Sequence, residues 1–145
     1  NVAIRGTGSQ TSNGVLNVGV HIASATVTTV DGSLTISGQS GTGSSLNQGV
    51  RMVVGTLRST GGGDISISGV ASGASTGVCN MGICMLTATL DSTGTIGILG
   101  QGGGGTLLNH GVYMQGITSP GTPPTATGTG GAGNMGEDET GNFFL

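Results

Sequence analysis

Few side chains in this sequence could do chemistry, and they lie far apart. Cys79 and Cys84 are the two thiols, His21 and His110 the two imidazoles, and Arg5, Arg51 and Arg58 the three cations. Of six acidic residues, three are contiguous as Glu137-Asp138-Glu139, while Asp31, Asp64 and Asp91 stand alone. A carboxylate cluster could hold Ca²⁺ or meet an arginine of a neighbour. Calcium, however, takes about 6–8 oxygen ligands and no second acidic group is near in sequence, so a solvated acidic loop is the plainer reading. The thiols of Cys79 and Cys84 could close a local disulfide, bridge to another chain through Cys84, or stay free. A local bridge requires a Cα separation of roughly 4.4–6.8 Å.

Neither histidine has a carboxylate or cysteine with which to bind metal or move a proton. Polysaccharide lyases and hydrolases need carboxylates, or arginine with carboxylates, gathered on one face. Asp31, Asp64 and Asp91 fall on turns or separate slots, so no enzyme, cofactor or metal is expected. Gly61-Gly62-Gly63-Asp64-Ile65 resembles one fragment of a calcium-binding nonapeptide but stands without tandem copies, and reads as a turn. Gly128-Thr129-Gly130-Gly131-Ala132-Gly133 formally spells GxGxxG, yet no strand leads in and no helix follows.

Composition points away from an ordinary enzyme core. The 145 residues include 33 Gly, 3 Pro, no Trp and only 6% charged residues. The net charge of −3 leaves no basic stripe for a phosphate backbone, which excludes nucleic acid as a partner. No apolar run of about 18 residues is present to span a bilayer. The glycines must then be turn residues of a regular fold.

That regularity is a recurring Asn-x-Gly. Asn17, Asn47, Asn80, Asn109 and Asn134 open its copies at spacings of 30, 33, 29 and 25 residues, the range of one supersecondary unit repeated along a solenoid. Three residues after the first four asparagines stand Val20, Val50, Ile83 and Val112, and five after stand Ile22, Met52, Met85 and Met114. Alternation of this kind is a strand with one buried face. His21, Arg51, Cys84 and Tyr113, in between, should face solvent. Tyr113 could there stack on a sugar or a neighbouring fibre, though a lone exposed tyrosine is ordinary.

A second strand follows at Val27, Leu57 and Leu90, each preceded by a threonine, and a third at Leu34–Gly38, Ile65–Gly69 and Ile96–Gly100, already present at the start as Val2–Gly6. Gly, Ser, Thr and Asn clusters of variable length join them. The expected fold is all-β: a single-stranded parallel β-solenoid of roughly triangular section, with about four to five coils of roughly 29–30 residues. Right-handed winding is the default for parallel crossovers. Asn-x-Gly is read as a corner, where positive φ suits Gly or Asn, and stacked asparagine amides should form a ladder.

The coils have the form Asn-x-Gly-Val-x-Met, Thr-Leu, then Gly-Asp-Ile-Ser-Ile-Ser-Gly. From Val2 to about Gln115 they resemble the degenerate β-strand repeats of very large bacterial surface proteins, the filamentous-haemagglutinin-like adhesins. The resemblance implies an exported, fibrous, adhesive or matrix-forming protein at the cell surface or outside the cell, with no catalytic site.

Three segments are expected: coils over 1–116, a Pro/Thr/Gly-rich loop or linker over 117–133, and a degenerate fifth coil or acidic and aromatic end over 134–145. No polar cap is legible at either end, which suggests a subunit that stacks head to tail on its own copies, or a length of a longer solenoid. Val2, Ile4, Arg5, Glu137, Asp138, Glu139, Phe143 and Phe144 are the assembly candidates. In such a joint Asn134 would precede the next Asn17 by a spacing within the observed range, and Phe144 would take the slot of Val27, Leu57 and Leu90. The expected role is structural; the alternative is a surface that binds glycans, other cells or ice. Ice would need a broad threonine array, whereas only Thr26, Thr56 and Thr89 align and Arg58 and Asp91 interrupt the next file.

Overall fold

Strands form wherever the sequence alternates β-branched or long apolar residues with small polar ones, since a pleated strand sends successive side chains to opposite faces. The computed structural model describes residues 1–132 and the backbone of 142–144. Along it run β1 (Val2–Thr7), β2 (Val20–Ala23), β3 (Thr26–Thr29), β4 (Leu34–Gln39), β5 (Val50–Ser59) and β6 (Ile65–Val70). β7 (Ile83–Ser92), β8 (Ile96–Gln101), β9 (Val112–Gln115), β10 (Thr125–Thr129) and β11 (Asn142–Phe144) follow. The described residues contain no helix.

Two sheets result, one ordered β1-β4-β6-β8-β10, the other β11-β9-β7-β5-β2 with β3 also on β5. Every pairing is parallel. The chain alternates between the sheets as it advances, so it is a β-solenoid of about four turns.

Register is kept residue for residue. Val20, Val50, Ile83 and Val112 are mutual partners, as are Ile22, Met52, Met85 and Met114. Facing them from the first sheet are the files Val2-Leu34-Ile65-Ile96 and Ile4-Ile36-Ile67-Ile98-Ala126. Together with the file Val27-Leu57-Leu90 they make most of the apolar core. Met85 is 0% exposed, so Met85→Ala should cost about 2–5 kcal/mol in urea unfolding through lost contacts and the cavity left behind. Ile4→Ala should cost less, because Ile4 ends its file half-buried.

The closing of the coil departs from three separate strands around a triangle. The first and second strands of each turn share one sheet, and in the central turns they are continuous as β5 and β7. A single left-handed residue bends them: Ser24 (φ 48°), Val54 (φ 50°), Thr87 (φ 53°) and, in the fourth turn, Gly116 (φ 65°). One such residue turns the chain without interrupting the ladder, and the Thr56 N–H still donates to the Ala25 carbonyl at 2.9 Å. No loop is needed there.

The segment read as a loop or linker also behaves differently. Ile117 packs on the core, Thr118 bridges to Thr89, and Thr125–Thr129 pairs with Gly97–Gln101 as the fifth strand of the first sheet. Prolines before Thr125 mask the pattern, but Ala126 and Gly128 fall in the inward apolar and glycine files. Pro120, Pro123 and Pro124 all lie before β10.

A file of glycines, Gly6, Gly38, Gly69, Gly100 and Gly128, runs down the first sheet. The first four face the carbonyls of Gly19, Gly49, Gly82 and Gly111 in turn, so closely that a Cβ would land on the oxygen. There the sheets nearly touch.

Candidate functional site in the amide ladder and the coil edges

At the Asn-x-Gly corner the left-handed residue is not the asparagine but its predecessor: Leu16 (φ 61°), Leu46 (φ 61°), Cys79 (φ 59°) and Leu108 (φ 56°). This corrects the reading of asparagine as the residue suited to positive φ. The strained turn swings the leucines outward, with Leu16 50% exposed, and drives the asparagine side chains in. Asn47, Asn80 and Asn109 are fully buried and Asn17 is half-buried.

The asparagines form the expected ladder. Asn17 donates its backbone N–H and its Nδ2 to Asn47 Oδ1, both at 3.1 Å. Asn47 repeats this toward Asn80 Oδ1 at 3.2 and 2.9 Å. The Asn80 N–H donates to Asn109 Oδ1 at 2.9 Å. Asn109 Nδ2 reaches the Ala132 carbonyl at 2.8 Å. Asn17, Asn47 and Asn80 therefore each donate to the next rung, and Asn47, Asn80 and Asn109 each accept from the one before.

Gln48, Met81 and His110, between Asn and Gly at three of the corners, are buried. Their mixed chemistry hid them: alternation cannot place residues in a corner. Gln48 Oε1 and Arg51 Nε are buried without a hydrogen-bond partner among the described residues. His110 stacks on half-buried Tyr113 with ring centroids 6.1 Å apart.

Of the four residues expected to face solvent, His21 does so, Arg51 and Tyr113 are half-buried, and Cys84 is only 7% exposed. The outward slot is correct for Cys84, but its register partners Arg51 and Tyr113 are long enough to cover so small a side chain. Burial pushes its thiol pKa up, with Cys79 adding and the Arg51 guanidinium opposing, and burial raises Cys79 as well. Both are free thiols, protonated and poorly nucleophilic at neutral pH.

The isolated aspartates serve separate local ends. Asp91 pairs with exposed Arg58 at 3.0 Å. Asp64 Oδ1 accepts from the Thr95 hydroxyl at 2.7 Å and the Thr95 N–H at 2.8 Å, and these bonds lower its carboxyl pKa. A carboxyl depressed on folding adds stability above the unfolded value and loses it as pH falls through the folded one. Thr95→Val removes the hydroxyl bond and should move the Asp64 titration part of the way back up, as an NMR titration would register. No group of three His, Cys, Asp or Glu able to hold a metal occurs among the described residues. Nor is any helix there long and apolar enough to cross a membrane.

Two outer faces have relief. Beside the bend, Ser24, Ala25, Thr26, Val54, Thr56 and Thr89 line an open groove of about 410 Å³. Thr26, Thr56, Thr89 and Thr118 run through this region as one file. Across the first sheet, two depressions of about 370 and 160 Å³ meet at Ser68 and Val70. They form a trough over the glycine file, walled by Arg5, Ser37, Gln39, Leu99, Gln101 and Thr129.

Among the described residues, β1 at the first edge pairs only with β4, and β10 at the other pairs only with β8. Val2 and Ile4, the candidates there, are half-buried, and Arg5 is exposed. β11 sets Asn142, Phe143 and Phe144 against Val112, Tyr113 and Met114. Phe144 thus occupies the slot of Met52 and Met85, not the one ten residues past the corner that the spacing from Asn134 implies. Asn134, Glu137, Asp138 and Glu139 lie outside the described residues. Comparison with family models, with curated proteins and with solved structures finds no match for this chain.

Proposed function

We propose that this chain is a structural subunit, or a segment, of an extracellular bacterial fibre or surface adhesin, joined head to tail through its coil edges to its own copies or to neighbouring coils. The observation that carries this reading is the pairing of β1 and β10 on one side each among the described residues, while the core file Ile4-Ile36-Ile67-Ile98-Ala126 runs from one edge strand to the other. A sheet edge is a row of unpaired backbone donors and acceptors, which can recruit a strand from another chain. Such a contact repeats without closing, which generates a filament. The absence of a gathered catalytic constellation among the described residues and the sparse surface charge suit a scaffold.

Electron micrographs of the concentrated chain should show filaments, with a meridional spacing of about 4.7–4.9 Å in fibre diffraction. Monodisperse monomers at high concentration would sink the proposal.

The trough across the first sheet favours a second reading, a surface that holds a saccharide through its hydroxyls and amides. Gln101→Ala should then weaken binding on a glycan array. An ice-binding face is less well supported, since the Arg58–Asp91 ion pair interrupts the file beside the threonines; a thermal-hysteresis assay tests it.

A further inference from the structure

The hydrogen bonds of the two edges show how one copy must meet the next, an inference that rests on the end-to-end reading above. The Val2 N–H donates to Ser33 O and the Gly8 N–H to Gln39 O, both at 2.9 Å. Backbone groups in a strand point alternately to its two sides. Val2, Ile4 and Gly6 are therefore committed to β4, and the N–H and C=O of Ala3, Arg5 and Thr7 point out of the open edge. At the far end the Gly102 N–H donates to Thr129 O at 2.8 Å, which commits Thr125, Thr127 and Thr129 to β8. Ala126 and Gly128 then point outward.

The corner carries the same polarity. Asn17 Oδ1 accepts from no donor among the described residues, whereas the Oδ1 atoms of Asn47, Asn80 and Asn109 each accept from the preceding rung. The first edge thus ends on an acceptor. Two first edges brought together would set Asn17 Oδ1 against Asn17 Oδ1.

We infer that β1 of a second copy docks on β10 in parallel and in the register of the existing sheet, placing Ile4 over Ala126, Arg5 over Thr127 and Gly6 over Gly128. The glycine file selects this register. A shift by two residues would set Ile4 or Gly8 over Gly128 and misalign the file on which the close approach of the two sheets depends.

The test uses Ala3→Pro and Ala126→Pro, each of which removes one outward-pointing N–H and no internal hydrogen bond, with sedimentation as the readout. Each variant alone should be monomeric, and an equimolar mixture should stop at dimers while the unmodified chain forms longer assemblies. A variant that dimerises by itself would show same-end pairing and overturn the inference while leaving self-assembly standing. An unmodified chain that stays monomeric overturns both.

Should either proline variant lose its β-sheet circular dichroism, exposed Thr127 supplies the same test. Thr127→Arg should weaken association several-fold at low salt by facing Arg5 of the next copy, and Arg5→Glu in the same chain should restore it. Assembly of Thr127→Arg at unmodified strength would overturn the register.

Discussion

Asn80→Ala should remove about 3 kcal/mol of stability or more, since three of its hydrogen bonds are buried and each group left unmatched costs about 1–3 kcal/mol, a large part of the about 5–15 kcal/mol typical of a domain. Asn80 is 0% exposed and serves as partner to four groups beyond its own backbone. Its Oδ1 accepts from the Asn47 N–H and Asn47 Nδ2 at 3.2 and 2.9 Å, and its Nδ2 donates to the carbonyls of Gly104 and Ser44 at 3.0 and 3.2 Å. Alanine leaves these unmatched where water cannot readily reach them. Denaturant unfolding should show a lower midpoint, and hydrogen exchange should accelerate at the Asn47 amide. Asn80→Asp keeps the acceptor but turns a carboxylate toward two carbonyls, so it should also destabilise, more at neutral than at acid pH. Asn17→Ala should cost much less, because Asn17 is half-buried and accepts from no rung before it.

The second large effect belongs to Gly69→Ala. Here the added methyl would meet the Gly82 carbonyl, with its carbon at 2.8 Å, and Ile83 Cγ1 at 2.6 Å. Side chains can move aside, but Gly82 is tied by its own N–H to His110 O at 3.0 Å and its carbonyl accepts from Val50 N at 3.0 Å. Relief therefore demands separating two laddered sheets, and the cost should reach or exceed the upper end of the about 1–3 kcal/mol usual for overpacking. Gly97→Ala in the next strand is the control. A methyl there meets nothing within 4 Å, and the restricted unfolded chain should make it neutral or stabilising by about 0.4–1 kcal/mol. Thermal melts of the two variants would separate contact from composition, since each adds the same CH₂.

The solenoid was legible because its information is periodic. Val20, Val50, Ile83 and Val112 announce their file by spacing alone, and parallel strands in register add no long-range choice beyond stacking like on like. The amide ladder was legible for the same reason. Leu16, Leu46 and Leu108 were not legible as left-handed residues, because leucine disfavours positive φ and adopts it here only where burying the next asparagine offsets the strain. Cys84 was misplaced because alternation reports the direction of a side chain, while exposure depends on the bulk of the neighbouring rungs. Thr125–Thr129 lies in a segment, 117–133, whose proline, threonine and glycine content reads as loop or linker, although its strand forms on a template that β8 already supplies.

Strand content, period, the inward files and the asparagine column thus follow from local pattern, since each coil repeats the last and needs only its own residues to be recognised. Sheet membership, the left-handed bends, the burial of Gln48, Met81 and His110, and the glycine-to-carbonyl contacts emerge only once the coil closes. Those features arise between residues that meet across the interior, and one-dimensional alternation carries no term for the distance between facing sheets.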